Sequence, residues 1–384
     1  MLDRAMQALY LLALDPIAET WADTHSYGFR LRRSTQDAMQ HCFIALARKV
    51  APRWVLEGDI KACFDRIDHD WLMRHVPIQR AMLQKWLKAG YMEKRIIHPT
   101  EDGTPQGGII SPVLANMALD GLQQALKAKY RQRKGRPYHS VNLIRYADDF
   151  VITGASRTVL EEEVKPLVAK FMAERGLELS EEKTVITPIE DGFDFLGRNV
   201  RKYSGKLLIK PSKRNVADFL GKLRELIRQN IHTSPGTLAY LLNLKLRGWA
   251  RFHRHFVSKR AFQYVDHALF IMLWKWARKR HPNKGHHWIA CRYWKRVGGD
   301  NWVFFGHTTG RNGTKHEVTL YPTSSMAIIR HVIIRCDVNP YDPEWGKYLA
   351  RRAKHHMRVK SDGAANIQLA YAEELGNLVG QPCS

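Results

Sequence analysis

Within 143–154 two adjacent acids, Asp148 and Asp149, interrupt a run of β-prone residues, and little else in the chain constrains the fold so tightly. Val, Ile, Tyr and Phe favour strands, and a tight polar break between two such arms reads as a hairpin with the acids at its tip. Neighbouring strand residues point to opposite faces, so the two carboxylates are not equivalent: one faces a cleft squarely and the other reaches in through the turn. Paired carboxylates at a tip are costly unless a cation or base neutralises them. A hard divalent ion such as Mg²⁺ suits oxygen ligands and substrate phosphates. Taken alone, the dipeptide reads first as a solvated turn.

Other segments carry similar information. Trp54 to Ile60 reads as a strand with Asp59 near its end. Asp65, Asp68 and Asp70 follow closely and read as helix caps or as partners of Arg66. Three glycines surround Pro105 and Gln106 in 103–108, a composition that lets backbone approach a ligand closely.

These boxes, in order, resemble those of the bacterial group II intron-encoded reverse transcriptase/maturase family. Tyr146-Ala147-Asp148-Asp149 is similar to its Tyr-x-Asp-Asp box, 57–69 to its first carboxylate motif and 103–112 to its nucleotide-facing loop. Segments 179–184 and 193–197 are similar to its last two palm motifs. The resemblance implies an α+β right-hand polymerase palm with partial fingers and a helical thumb or maturase domain. It implies that Asp59, Asp148 and Asp149 are catalytic and hold Mg²⁺, with the carbonyl of Ile60 as a further ligand. Two-metal transfer needs carboxylates on separate elements that converge on two cations roughly 3.5–4 Å apart. It also implies that Phe64 lies beneath the sugar and selects deoxynucleotides, and that Gln106 and Gly107 face the incoming nucleotide. The basic loop 26–34 offers Arg30 for template phosphate, or reads simply as solvated.

The formal net charge of +24 implies a polyanionic partner, with nucleic acid the default. Between residues 201 and 300 there are 23 Lys or Arg against 4 Asp or Glu. Two basic helices are expected there, over 210–230 and 238–254, interleaved with Trp249, Trp274, Trp276, Trp288 and Trp294. Cations neutralise phosphate and aromatics stack on unpaired bases, although a tryptophan in a helical core is the commoner case and is favoured for Trp274 and Trp276. By resemblance, Arg247, Trp249 and Arg251 contact RNA in this thumb. The run 127–136 holds six Lys or Arg in ten residues and reads as a solvated loop.

No stretch of eighteen apolar residues exists, and no signal-peptide pattern opens the chain. The five cysteines form no Cys-x-x-Cys pair, so a reducing cytoplasm is the expected compartment. The histidines at 253–287 are read as hydrogen-bond donors rather than zinc ligands. Expected helices cover 2–15, ended by Pro16, then 35–48 capped by Ser34, 71–91 broken at Pro77, 111–126 and 159–175. Residues 298–313 read as a linker or hairpin.

The expected organisation is a reverse transcriptase fingers/palm domain at 1–200, beginning after the fingers hairpin of the family, a basic thumb at 201–297, and a C-terminal segment at 298–384 without the family endonuclease. The expected activity is RNA-directed DNA synthesis from deoxynucleotides on an RNA template and DNA primer. Group II intron RNA and target DNA are the expected further partners, no membrane is involved, and homodimerisation is left open. The alternatives are an RNA-folding splicing factor without polymerase activity, or a domesticated reverse transcriptase in host defence.

Overall fold

The computed structural model describes residues 2–93, 96–98, 102–104, 108–130, 140–310 and 313–361. The chain forms two compact units. The first comprises Met1–Leu196, Val200–Leu208 and His331–Ala350; the second includes Gly197–Asn199 and Ile209–Arg330. The expected segment 298–384 is thus not one structural piece, because 298–330 and 331–350 belong to different units.

The first unit opens with helix α1, Leu2–Trp21, which continues through Pro16. Its buried Leu14 and Ala18 lie on either side of the proline, and packing of that face outweighs the lost helical hydrogen bond. Helix α2, Thr35–Leu46, begins as expected at Ser34, whose hydroxyl accepts from the Asp37 amide. Strand β1, Trp54–Gly58, leads into the short helices α3, Cys63–Arg66, α4, His69–His75, and α5, Arg80–Leu87. Pro77 falls in the gap between α4 and α5, and Asp68 caps α4 through the Trp71 amide. A small hairpin pairs β2, Tyr91–Glu93, with β3, Ile96–His98.

The helix expected over 111–126 is two helices, α6, Ser111–Leu119, and α7, Leu122–Tyr130. Gly121 adopts φ +97°, which only glycine takes without strain, and Asp120 is extended. The break frees the Asp120 carboxylate for the contacts described below. Strands β4, Asn142–Tyr146, and β5, Asp149–Gly154, form the expected hairpin. The following helix starts with a π-helical turn, Val159–Val164, before α8, Lys165–Ala173. Pro166 lacks the amide a regular ladder would need there, which accounts for the widened turn. Strand β6 is Val185–Pro188.

The sheet order is β4-β5-β1-β6, antiparallel at each pairing. Apolar side chains of β1, β4 and β5 share one core with helices α6 to α8, including Leu56, Phe150, Ile152, Leu114, Met117 and Val168. Burial of that face against helices fixes the register, because a one-residue slip would turn it to solvent.

The second unit is built on α9, Lys213–Gln229, α10, Pro235–His253, α11, Lys259–Arg280, and α12, His286–Tyr293. Along α9 the buried residues are Val216, Phe219, Leu220, Leu223 and Ile227, a single apolar stripe at helical spacing that leaves the basic residues on the other face. A three-stranded antiparallel sheet follows, made of Trp294–Val297, Asp300–Thr309 and Lys315–Thr319. Gly298 and Gly299 form the turn between the first two strands and Gly306 sits within the second, so the described part of 298–313 is strand and turn rather than linker.

Candidate active site

The register of β1 against β5 pairs Gly58 with Phe150, and continuing it by one residue sets Asp59 opposite Asp149. Tyr146 pairs with Asp149, leaving Ala147 and Asp148 as the two-residue turn. Ala147 takes φ +57° there. The sequence reading of two inequivalent acids matches this geometry. Asp148 and Asp59 line one open cleft of about 360 Å³, together with Ile60, Phe64, Asp65 and Lys183.

Beyond Gly58, the chain stays pinned to the segment 178–180. Lys61 donates its amide to the Glu178 carbonyl at 2.9 Å, and Ser180 donates to the Asp59 carbonyl at 2.9 Å. Ile60 bridges to Leu179 between them. This extra pairing delivers Lys183, whose Nζ lies 3.1 Å from Asp59 Oδ2. Lys183 lies in the segment 179–184, and no role is read for it from the sequence, because its meeting with Asp59 depends on the pairing of Ile60 with Leu179.

The electrostatics of the acids are those of like charges held together. Asp149 is open to solvent by surface area. Even so, the protein around it desolvates the carboxyl, and this, then the Asp148 and Asp59 charges, pushes it up to about 6, with Lys183 opposing.

The hairpin turn rests on a buried support. Arg145, wholly buried, pairs with Asp120 and donates to Asn116 Oδ1 at 3.2 Å and to the Ala147 carbonyl at 3.3 Å. Asp120 also accepts the Asp23 amide at 3.1 Å. The loop 25–28 runs along β4: Arg145 donates its amide to the His25 carbonyl and Tyr27 donates to the Arg145 carbonyl. Gly28 is seated under the turn, where a Cβ would come within 2.2 Å of the Ala147 nitrogen.

Phe64 is placed in the cleft, with Phe29 meeting its ring edge to face at 6.2 Å between centroids. Asp65 also lines the cleft. Arg66 pairs with Glu178 at 3.0 Å rather than with a neighbouring aspartate. His69 Nε2 donates to the Gly103 carbonyl at 2.7 Å, tying the start of the glycine loop to α4. Gln106 and Gly107 lie outside the described residues, as does most of the basic run 127–136.

Two expectations are corrected. The guanidinium of Arg30 is consumed internally, donating to both oxygens of Glu19 at 2.6 and 2.7 Å and to the Asp23 and Ser26 carbonyls. It is neither presented to template phosphate nor solvated. Trp249 is not available for base stacking. Its indole is buried, stacks on Phe219 at 4.7 Å and donates to Asn215 Oδ1 at 2.9 Å. The buried imidazole of His253 donates to the same oxygen at 3.0 Å, and burial pushes its pKa down to about 3. It is therefore a neutral core residue, not a contact for a polyanion. Arg247 lies half-buried over the Tyr321 ring at 4.3 Å, while Arg251 is exposed on α10. Among the described residues of this unit Trp288 and Trp302 are exposed and Trp274 is partly buried, while Trp276 and Trp294 are buried.

A sheet with one acid at the end of a central strand and another at the tip of the adjoining hairpin, both opening on one cleft, defines a polymerase palm. Residues 1–200 match the family Reverse transcriptase (RNA-dependent DNA polymerase), and 216–294 match Group II intron, maturase-specific domain. The chain belongs to the reverse transcriptase family. Protein YkfC of Escherichia coli is 34% identical over 238 residues, covering 53% of this chain and 62% of that protein. Group II intron-encoded protein LtrA of Lactococcus lactis is 29% identical over 325 residues, covering 67% of this chain and 53% of that protein. The chain thus spans roughly half to three-fifths of the length of these curated relatives. A solved apo telomerase from Candida tropicalis overlaps 72% of this chain and 49% of that one at 12% identity, with a TM-score of 0.39, too low to carry weight. Among the described residues no helix is long and apolar enough to cross a membrane.

Proposed function

We propose that this protein is an RNA-directed DNA polymerase that extends a DNA primer on an RNA template, and that it binds group II intron RNA to assist splicing and mobility at target DNA. The observation that carries this reading is the convergence of Asp59 and Asp148 on one cleft, with Asp149 next to Phe150, the partner of Gly58 in the sheet. The donor set fits Mg²⁺: hard carboxylate oxygens from two elements, close enough that desolvation and then the neighbouring carboxylate charges raise Asp149. Asp59, Asp148, Asp149 and the Ile60 carbonyl would hold the ions. Bound there, Mg²⁺ supplies neutralisation of the transferring phosphoryl group and a more acidic primer hydroxyl.

The chain's own residues do the positioning. Phe64 gives the cleft an apolar wall for the sugar, the means of preferring deoxynucleotides. Gln106 and Gly107 are the proposed nucleotide-facing pair. Lys183 supplies positive charge where an incoming triphosphate would lie, and Arg145 with Asp120 holds the turn so that Asp148 needs no rearrangement during reaction. The basic faces of α9 and α10, with Arg251 and the half-buried Arg247, bind RNA phosphates. We place the protein in the cytoplasm with that RNA.

Primer extension on an RNA template with Mg²⁺ tests this. Extension is expected from the unsubstituted chain and its loss from Asp148→Ala. Tight, salt-sensitive RNA binding without extension from either would instead establish the splicing-factor reading, since the maturase-specific match and the charge of 201–300 accord with both readings.

A further inference from the structure

Within the first unit, three metal-ligating side chains from separate segments meet away from the acidic cleft. His25 lies in the loop along β4, His41 on α2, and Cys336 in the segment His331–Ala350. One ligand atom from each lies within 4.8 Å of the other two. The two imidazoles stand edge to face at 4.2 Å between centroids. We propose that His25, His41 and Cys336 form a zinc site.

Three features carry this beyond proximity. First, His25 Nδ1 is buried without a hydrogen-bond partner among the described residues, a state that normally costs stability and calls for an unseen partner. Second, the His25 carbonyl accepts the Arg145 amide at 3.0 Å, so the backbone bearing this ligand is fixed along β4. Third, the buried Tyr27 hydroxyl lies 2.9 Å from His41 Nδ1 and 3.8 Å from Cys336 Sγ, so one side chain orients two of the ligands.

The chemistry selects the ion. Two imidazoles and one thiolate suit Zn²⁺ better than a hard cation such as Mg²⁺. A neutral imidazole binds a metal ion without losing a proton. Binding releases only the Cys336 thiol proton to solvent. Arg33 donates to the Cys336 carbonyl at 3.1 Å, which fixes the backbone bearing the thiol. None of the three residues lines the Asp59 cleft, so the ion would act as a clamp, not in the reaction. It would join 331–350 to α2 and to the loop that supports the hairpin turn.

The full chain, with any purification tag removed and metals stripped by chelation, is titrated with Co²⁺ as a spectroscopic stand-in. The expected result is a thiolate-to-cobalt charge-transfer band that saturates at about one equivalent and is displaced by Zn²⁺. The band should vanish in Cys336→Ser and persist in Cys291→Ser, which removes the exposed thiol 3.8 Å from His287 Nε2. Tyr27→Phe should weaken Zn²⁺ affinity by about 10–100-fold. Alkylation of Cys336 in the unsubstituted chain, followed by peptide mass spectrometry, covers the case in which a variant fails to fold, and Zn²⁺ should slow it severalfold. No band, a band that survives Cys336→Ser, or equal alkylation with and without Zn²⁺ overturns the proposal.

Discussion

Lys183 Nζ lies 3.1 Å from Asp59 Oδ2, so one of the acids at the cleft has a cation in reach before any metal arrives. The lysine is largely exposed, and a surface pair of this kind contributes little to folding. Lys183→Ala should therefore change the urea midpoint of the metal-free protein by less than about 1 kcal/mol equivalent. It should also raise the pKa of Asp149, because the Lys183 charge pulls that carboxyl down. The acid limb of Mg²⁺-dependent extension should move to higher pH, and Lys183→Arg should leave it in place. An unmoved limb in Lys183→Ala would show that the lysine does not act on the acids.

Asp149 makes the metal-free protein sensitive to pH in a definite direction. The fold keeps its proton up to about pH 6, whereas its reference value is 3.8. Between these values the native state binds more protons than the unfolded one, so this residue lowers stability as pH rises from about 4 to about 6 and has no further effect above. Asp149→Asn removes that contribution. Subtracting its urea midpoints from those of the unsubstituted chain across this range should leave a slope of that sign.

Removing one partner of the buried pair Arg145–Asp120 leaves the other as an uncompensated charge. Either Arg145→Ala or Asp120→Ala should cost roughly 3–5 kcal/mol. The double variant Arg145→Met with Asp120→Leu should recover part of it, as measured by denaturant unfolding.

The two neighbours Trp249 and Arg251 should separate cleanly. Trp249→Ala opens a cavity beside Phe219 and Phe262 and should cost roughly 3–5 kcal/mol. Arg251→Ala should leave thermal stability unchanged, weaken RNA binding at low salt and reduce the salt slope by about one. Binding isotherms over a range of salt, beside thermal melts, distinguish the two.

The acids were legible because a period-two pattern and a polar break suffice to place Asp148 at a hairpin tip, and the order of boxes supplied Asp59. What escaped the sequence was partner choice. Nothing local announces that Arg30 is held by Glu19, eleven residues earlier and on another element. Helical spacing marks Trp249 as periodic but does not say which face meets Phe219. The break at Gly121 was hidden in an apolar run, and its purpose shows only once Asp120 is seen against Arg145, which is 25 residues on. His25, His41 and Cys336 share no sequence motif at all, since their meeting depends on a return of the chain.

That return governs how the molecule is made. Asp37, at the start of α2, accepts from His331 Nε2 at 2.9 Å and from the Ile334 amide at 2.8 Å, and Arg33 donates to the carbonyls of Cys336 and Val338. A ribosome delivers those partners only after Ile209–Arg330 has been synthesised. The unit bearing the acids is therefore finished late, and a translational pause or premature stop before His331 would release it with a buried carboxylate and a buried guanidinium missing their neighbours.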